Sequence, residues 1–417
     1  SPYMGKKYLN PDLKDYLKRN YKGYEKDLFS AFVIRNTLFI NANGQLGFMT
    51  PYTWMSLSSY EKLRESLSES KSITSLVKPS YTMFFDSAIV AVVAFTVMNN
   101  IENINGTYFD LGYLGSAESQ PIKLLEAIDS NESSLKFISS QKDFKKIPVS
   151  PVAFWVSEKV REIFVNNPLI SEVANAAVGL QTGDNNRFLR FWQEVDIQKV
   201  GFGMESLEQA KLSEKKWFPY NKGGDFRKWY GNQEHVVNWE NGGKELLDFT
   251  PKSVIRNPSY YFKSSISWSF VSSSYFGVRY YPKGFIFDVG GSSLFPQEEN
   301  IFNSLAGFLC SHIAPDLMKV LNPTLNFQVG NVEQLPYINV PNKDYGKNCI
   351  DIAKSDWDSY EISWDFTQNP IIRTQQPNLE QAFNTWQQQN ADAVAEMKRL
   401  EEENNKLFID AYGLQDE

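Results

Sequence analysis

Phe85-Asp86-Ser87-Ala88-Ile89-Val90-Ala91-Val92-Val93-Ala94-Phe95-Thr96-Val97 is the stretch that decides the fold. Its apolar residues do not alternate with polar ones. A strand of this kind is covered on both faces, as strands of parallel and mixed α/β sheets are. A membrane helix does not fit: residues 88–98 are the most apolar run of the chain, and a bilayer takes about 20 such residues.

Upstream, residues 73–77 read as a second strand. Leu57, Tyr60, Leu63 and Leu67 recur at helical spacing. Residues 45–50 read as a short strand that Pro51 stops and the Asn43-Gly44 turn precedes. Tyr24, Leu28 and Phe32, then Leu38 and Phe39, mark an earlier helix. Downstream, a turn-rich link leads into a strand at 107–114. Ser150-Pro151 then predicts the start of a helix with Phe154, Trp155, Val160, Ile163 and Phe164 on its apolar face. Helices alternating with strands buried on both sides predict an open α/β sheet.

Of the 417 residues 42% are apolar and 15% aromatic, enough for two or three domains with sizeable cores. A net charge of -7 argues against wholesale coating of nucleic acid but allows a local basic cleft. Cys310 and Cys349 read as reduced thiols. With only His235 and His312 besides, no metal site is expected. The expectation is a soluble, cytoplasmic, monomeric protein with no membrane partner.

Pro2-Tyr3, a helix, then residues 44–51 and Phe84-Phe85 ahead of the long strand follow an order that resembles the γ-class adenine-N6 DNA methyltransferases. The resemblance implies that Pro2 and Tyr3 are the tail of an Asn-Pro-Pro-Tyr loop, whose asparagine and first proline carbonyl accept hydrogen bonds from the adenine amino group. Tyr3 would stack on the extruded base and Phe85 would pack on its other face. The chemistry calls for such a grip. The amine is a poor nucleophile while conjugated with the ring and must be lifted from the duplex, oriented and desolvated. Stacking supplies ~1–3 kcal/mol per base. Core packing remains open for Phe85, and a frayed terminus for Tyr3. Ser1 stands where the family has proline, and the asparagine and the glycine-rich cofactor motif do not occur in the sequence. The expectation is therefore a C-terminal part of such an enzyme, inactive alone, with S-adenosylmethionine bound by an upstream half. Gly223-Gly224, Gly242-Gly243 and Gly290-Gly291 read as turns.

Residues 6–26 are polar and rich in lysine; a solvated face and a phosphate-facing edge both fit. Residues 179–192, Gly-Leu-Gln-Thr-Gly-Asp-Asn-Asn-Arg-Phe-Leu-Arg-Phe-Trp, resemble the opening of target-recognition domains of methyltransferase–restriction enzymes and type I specificity subunits. Asn186 and Arg187 suit phosphate or base edges. Residues 215–232 interleave cations with aromatic rings, including Lys222, Arg227 and Trp229, as a groove-binding surface would. Residues 253–261, 266–272 and 275–281 read as strands, punctuated by Arg256, Lys263, Arg279 and Lys283. A helix is expected over 300–320. Asn186, Arg187, Lys222, Arg227, Trp229 and Arg279 are the expected DNA contacts. Residues 222–232, 255–258 and 408–417 carry a resemblance, over essentially the whole chain, to the PglX family, the adenine-specific methyltransferases of BREX phage-defence systems. It implies self-marking of host DNA, with double-stranded DNA and other phage-defence subunits as partners.

The fold expected is α/β: the second half of a Rossmann-like methyltransferase sheet over 1–150, an α+β DNA target-recognition domain over 151–345, and a helical region over 346–417. In the last, Leu379, Phe383, Trp386, Val394, Met397, Leu400 and Leu407 mark an amphipathic helix, packed on the chain itself or docking another subunit. A reading from another class stays open: a DNA-specificity module without chemistry, like a type I restriction specificity subunit.

Overall fold

The computed structural model describes residues 2–80, 91–100, 104–114, 117–271, 275–324, 326–340 and 344–416. Two compact units divide the chain: Ser1–Asn166 with Val320–Pro323, and Asn167–Lys319 with Thr324–Glu417.

The first unit begins with α1 (Pro11–Asn20) and α2 (Leu28–Thr37). There follow β1 (Gln45–Pro51), α3 (Glu61–Ser70), β2 (Ser72–Lys78), β3 (Val92–Met98), β4 (Asn105–Asp110), α4 (Ser119–Asp129), β5 (Lys136–Ser140) and α5 (Glu158–Asn166). The strands lie in one mixed sheet in the order β1-β3-β2-β4-β5. The apolar stretch that opened the sequence reading supplies β3, which runs antiparallel to both its neighbours. Phe95 pairs with Phe48 on one side and Leu76 on the other, and Val93, Phe95 and Val97 are buried. Residues 85–90 of that stretch lie outside the described residues.

Two expectations need correction here. Leu38 and Phe39 do not extend α2: the helix closes when the Leu38 amide donates to the Arg35 carbonyl, and both side chains are exposed. No helix opens at Ser150-Pro151. Residues 151–157 carry no helix, and before them Val149 and Ser150 turn at φ of 59° and 48°, held by buried Arg64. Its Nε donates to the carbonyls of Val149 (3.0 Å) and Ser150 (3.1 Å), its Nη1 to those of Trp54 (2.7 Å) and Leu57 (2.8 Å). The helix starts instead at Glu158, where the Ser157 hydroxyl accepts the Val160 amide at 3.3 Å.

The second unit carries two four-stranded sheets. β6 (Ala174–Ala177), β10 (Ser265–Trp268), β11 (Val278–Tyr281) and β13 (Ser293–Pro296) form an antiparallel one in the order β11-β10-β13-β6. β7 (Leu189–Phe191), β8 (Trp217–Asn221), β9 (His235–Asn238) and β12 (Ile286–Phe287) form the other, in the order β12-β8-β9-β7. Residues 253–261 are not a strand. Val254 makes one bridge to Gln181, Asn257 turns left-handed at φ 49°, and Pro258–Tyr260 is a single 3-10 turn. The helix expected over 300–320 is two, α6 (Phe302–Cys310) and α7 (Ile313–Leu321). The break falls at Ser311, whose hydroxyl donates to the Phe308 carbonyl, and at His312, whose amide donates to Asn405.

α8 (Tyr345–Trp357) and the long α9 (Leu379–Tyr412) complete the unit. Leu400, Asn404, Phe408 and Tyr412, each four residues on, are the buried side of α9, whereas Leu379, Phe383 and Val394 are exposed. Tyr412 stacks on Phe308 at 5.6 Å and donates its hydroxyl to the Pro336 carbonyl at 2.8 Å. Gly413 at φ 66° then ends the helix, with the Leu414 amide on the Ile409 carbonyl.

Candidate nucleic-acid interface

The loop bearing Pro2 and Tyr3 is stitched to its own unit. The Met4 amide donates to the Asp27 carboxylate at 3.0 Å, the Leu28 amide to the Met4 carbonyl at 3.1 Å, and the Lys6 amide to the Lys26 carbonyl at 3.0 Å. The Tyr3 ring meets Phe29 edge-on at 6.4 Å, and its hydroxyl donates to the Met49 carbonyl on β1 at 3.1 Å. Burial pushes the Tyr3 phenol up from its usual value, so at neutral pH it stays a donor. The ring is thus fixed at its far end and still 38% exposed. That is the state in which an aromatic face can receive another ring without first being ordered. Phe85, the other expected base contact, lies outside the described residues.

In the second unit the Gly179-Leu180-Gln181-Thr182-Gly183 turn runs between two other backbones. The Leu180 amide donates to the Phe287 carbonyl (2.7 Å), and Gln181 and Val254 exchange both backbone bonds. Both glycines are required. A Cβ on Gly179 would lie 1.8 Å from the Phe287 oxygen; on Gly183, at φ +73°, it would lie 2.4 Å from the Lys252 oxygen. This threading joins segments that are distant in sequence. Arg256 reaches Gln181 (Nη1 to Oε1, 3.4 Å) and Asn257 reaches the Val178 carbonyl (3.0 Å). Arg187 and Lys252 both lie over the Phe249 ring, at 5.1 and 5.2 Å. Arg187 also pairs with Glu245 at 3.5 Å, and Asn186 is exposed beside it. The motif therefore carries a surface of amides and cations, of the kind that meets phosphates and base edges. Sequence reasoning found Asn186 and Arg187 but not Lys252 or Phe249, which only the fold brings alongside.

Lys222 is held differently. Its Nζ pairs with Asp288 at 2.9 Å while its side chain stays 31% exposed. Asp288 also accepts the Tyr220 hydroxyl (2.7 Å) and the Gly290 amide (2.6 Å). Burial pushes the Tyr220 phenol well above its usual range, with the Asp288 charge adding to it. His235, tilted against Phe191 at 4.7 Å between ring centres, is pulled below 6.5 by burial first and by Lys222 second.

Two of the remaining expected contacts turn inward. Arg279 is 1% exposed, with Nη2 on the Ser269 hydroxyl at 3.1 Å. Trp229 is 2% exposed, and its Nε1 donates to Glu401 of α9 at 2.6 Å. Lys228 pairs with the same carboxylate at 2.7 Å, and the Arg227 guanidinium lies 4.8 Å over Trp357 of α8. As surface contacts, Trp229 and Arg279 are corrected by their burial. The aromatic and basic run grips the C-terminal helices because large rings gain more from cover than from water. The glycine pairs serve packing too: a Cβ on Gly223 would lie 2.4 Å from the Gly290 oxygen, and one on Gly291 would lie 2.5 Å from the Asn221 oxygen. They leave no cradle for a cofactor phosphate or carboxylate.

Comparison with known proteins defines a class first. Residues 1–85 match the family model described as Eco57I restriction-modification methylase. The whole chain superposes on 54% of the solved Type IIL restriction-modification enzyme MmeI, itself in complex with DNA, with a TM-score of 0.59 at 15% identity. That likeness is one of fold alone. Curated relatives are narrower. The chain is 33% identical over 434 residues to the adenine-specific methyltransferase PglX of Lacticaseibacillus casei (strain Zhang), covering 100% of the chain and 36% of that protein. It is 35% identical over 378 residues to the adenine-specific methyltransferase BrxX of Escherichia coli O9:H4 (strain HS), covering 89% and 30%. The chain is a relative of these adenine-specific methyltransferases and spans about a third of their length.

Proposed function

We propose that this chain supplies the target-base loop and the DNA target-recognition surface of an S-adenosylmethionine-dependent, base-flipping adenine-N6 DNA methyltransferase acting in BREX-type phage defence. The observation that carries it is Tyr3, immobilised by Phe29 and Met49 yet open to solvent, at the head of a chain similar throughout to adenine-specific methyltransferases. In this reading Tyr3 stacks on the extruded adenine and Pro2 shapes the loop. Phe85 supplies the opposite ring.

Recognition falls to the second unit. Asn186, Arg187, Lys252 and Arg256 meet DNA on the surface that the Gly179–Gly183 turn assembles, and Lys222 is aimed by Asp288. Arg227 contributes beside its stack on Trp357. Residues 1–150 act as the methyltransferase part, 151–345 as the recognition domain and 346–417 as its helical support. Gly223 and Gly291 are closed by backbone packing, and binding of the methyl donor is assigned to residues outside this chain.

Sequencing N6-methyladenine in DNA from cells with and without the natural gene tests the reading. It expects one short motif to be methylated on one strand only when the gene is present. Identical methylation in both would refute it.

A further inference from the structure

Residues 6–26 carry seven cationic and three acidic side chains, a surplus of four in a chain of net charge -7. Elsewhere in the protein some surface cations are paired, as in Lys216–Glu240, Lys244–Asp248 and Lys347–Asp351. Here only Lys6 is, with Glu25 at 4.0 Å. Among the described residues, no carboxylate lies within 4.0 Å of a cationic nitrogen of Lys7, Lys14, Lys18, Arg19, Lys22 or Lys26. Of the acids nearby, Glu25 accepts the Gly23 amide at 2.5 Å and Asp27 accepts the amides of Met4 and Phe29, while Asp12 and Asp15 of α1 are exposed. α1 is capped by a neutral side chain, Asn10, which accepts the Leu13 amide at 2.8 Å. Leu17 and Leu9 bury one side of the segment against Ala31, leaving Lys18 and Arg19 exposed.

These cations sit on the segment to which the Tyr3 loop is bonded. Gly5 bridges Asp27, and the Lys6 amide donates to the Lys26 carbonyl. Their placement relative to Tyr3 is therefore fixed by covalent and hydrogen-bonded structure. A solvated face has no reason to hold a surplus of four positive charges in a chain of net charge -7. A polyanion gives one, because each phosphate neutralised releases condensed counterions.

We infer that residues 6–26 form a phosphate-binding surface for duplex DNA beside the adenine held by Tyr3, gripping the backbone without reading sequence. This rests on the function proposed above.

The test compares the natural full-length protein with two triple variants of equal charge change. One is Lys14→Gln, Lys18→Gln, Arg19→Gln; the other alters paired lysines, Lys319→Gln, Lys347→Gln, Lys398→Gln. Affinity for a duplex oligonucleotide of arbitrary sequence is measured against salt, with circular dichroism confirming the fold. The first variant is expected to flatten the slope of log affinity against log salt by about 2 to 3, since each phosphate contact on B-DNA contributes ~0.9. The second is expected to leave the slope unchanged. An unchanged slope in the first, or equal flattening in both, would overturn the proposal. A wild-type protein that shows this contrast but methylates no DNA would instead refute the enzymatic reading and leave the surface standing.

Discussion

The Tyr3 hydroxyl donates to the Met49 carbonyl, which lies 46 residues further along the chain. The bond ties the loop bearing Tyr3 to an edge strand of the first sheet and fixes the ring's orientation. Tyr3→Phe keeps the ring and loses the tie. Such a bond contributes ~0.5–1.5 kcal/mol, so methyl transfer by the full-length protein is expected to slow by roughly 2- to 10-fold. DNA affinity should hardly change. Single-turnover methyl transfer beside a binding isotherm separates the two.

Gly179→Ala and Gly183→Ala each push a methyl group into a backbone oxygen, at 1.8 Å and 2.4 Å. The second also forces φ +73° on an L-residue. Each should destabilise the second unit by about 1–3 kcal/mol. Thermal melting would show it, with DNA affinity falling because Arg256 and Asn257 lose their support.

Glu401 joins α9 to the loop before β9 by accepting from both Trp229 and Lys228. Glu401→Ala leaves the nearly buried Trp229 indole without its acceptor. A loss of ~1–3 kcal/mol follows from an unsatisfied buried donor, read as a lower melting temperature and a red shift in tryptophan emission. Unchanged melting and emission would mean that the helix is held without this link.

His235 lies below 6.5 in the folded protein because of burial and the nearby Lys222 charge. As pH falls, the unfolded chain takes up this proton first. The stability His235 confers is complete above pH 6.5 and is lost as pH drops through its folded value. In His235→Phe, which keeps a ring against Phe191, the loss of stability as pH falls below 6.5 should shrink. Urea melts across that range measure it.

The sheet of the first unit was legible because β3 is apolar on both faces and its flanking helices are periodic. Boundaries were less so. The helix expected at Ser150 fails because Arg64, 85 residues upstream, holds Val149 in a turn, and such a bond leaves no local trace. In α9 the apolar stripe was visible, but the buried side runs through Asn404, which reads as polar and in fact donates to the Gly307 carbonyl at 2.9 Å. The aromatic and basic run at 215–232 misled because composition alone does not separate a ring facing DNA from one facing α8 or α9. Trp229 resolves inward. The turn before Asn186 and Arg187 was legible because its glycines are tied to backbone approach; that Lys252 joins Arg187 over Phe249 was not, since only the fold brings them together.

Tyr3 is proposed to hold the adenine. The most direct measurement is single-turnover methyl transfer by the full-length protein with Tyr3→Ala, on duplex DNA carrying its methylated motif. Losing a stacking contact of ~1–3 kcal/mol predicts a rate lower by about 5- to 150-fold, with duplex affinity within a few-fold of wild type. A rate equal to wild type would contradict the account.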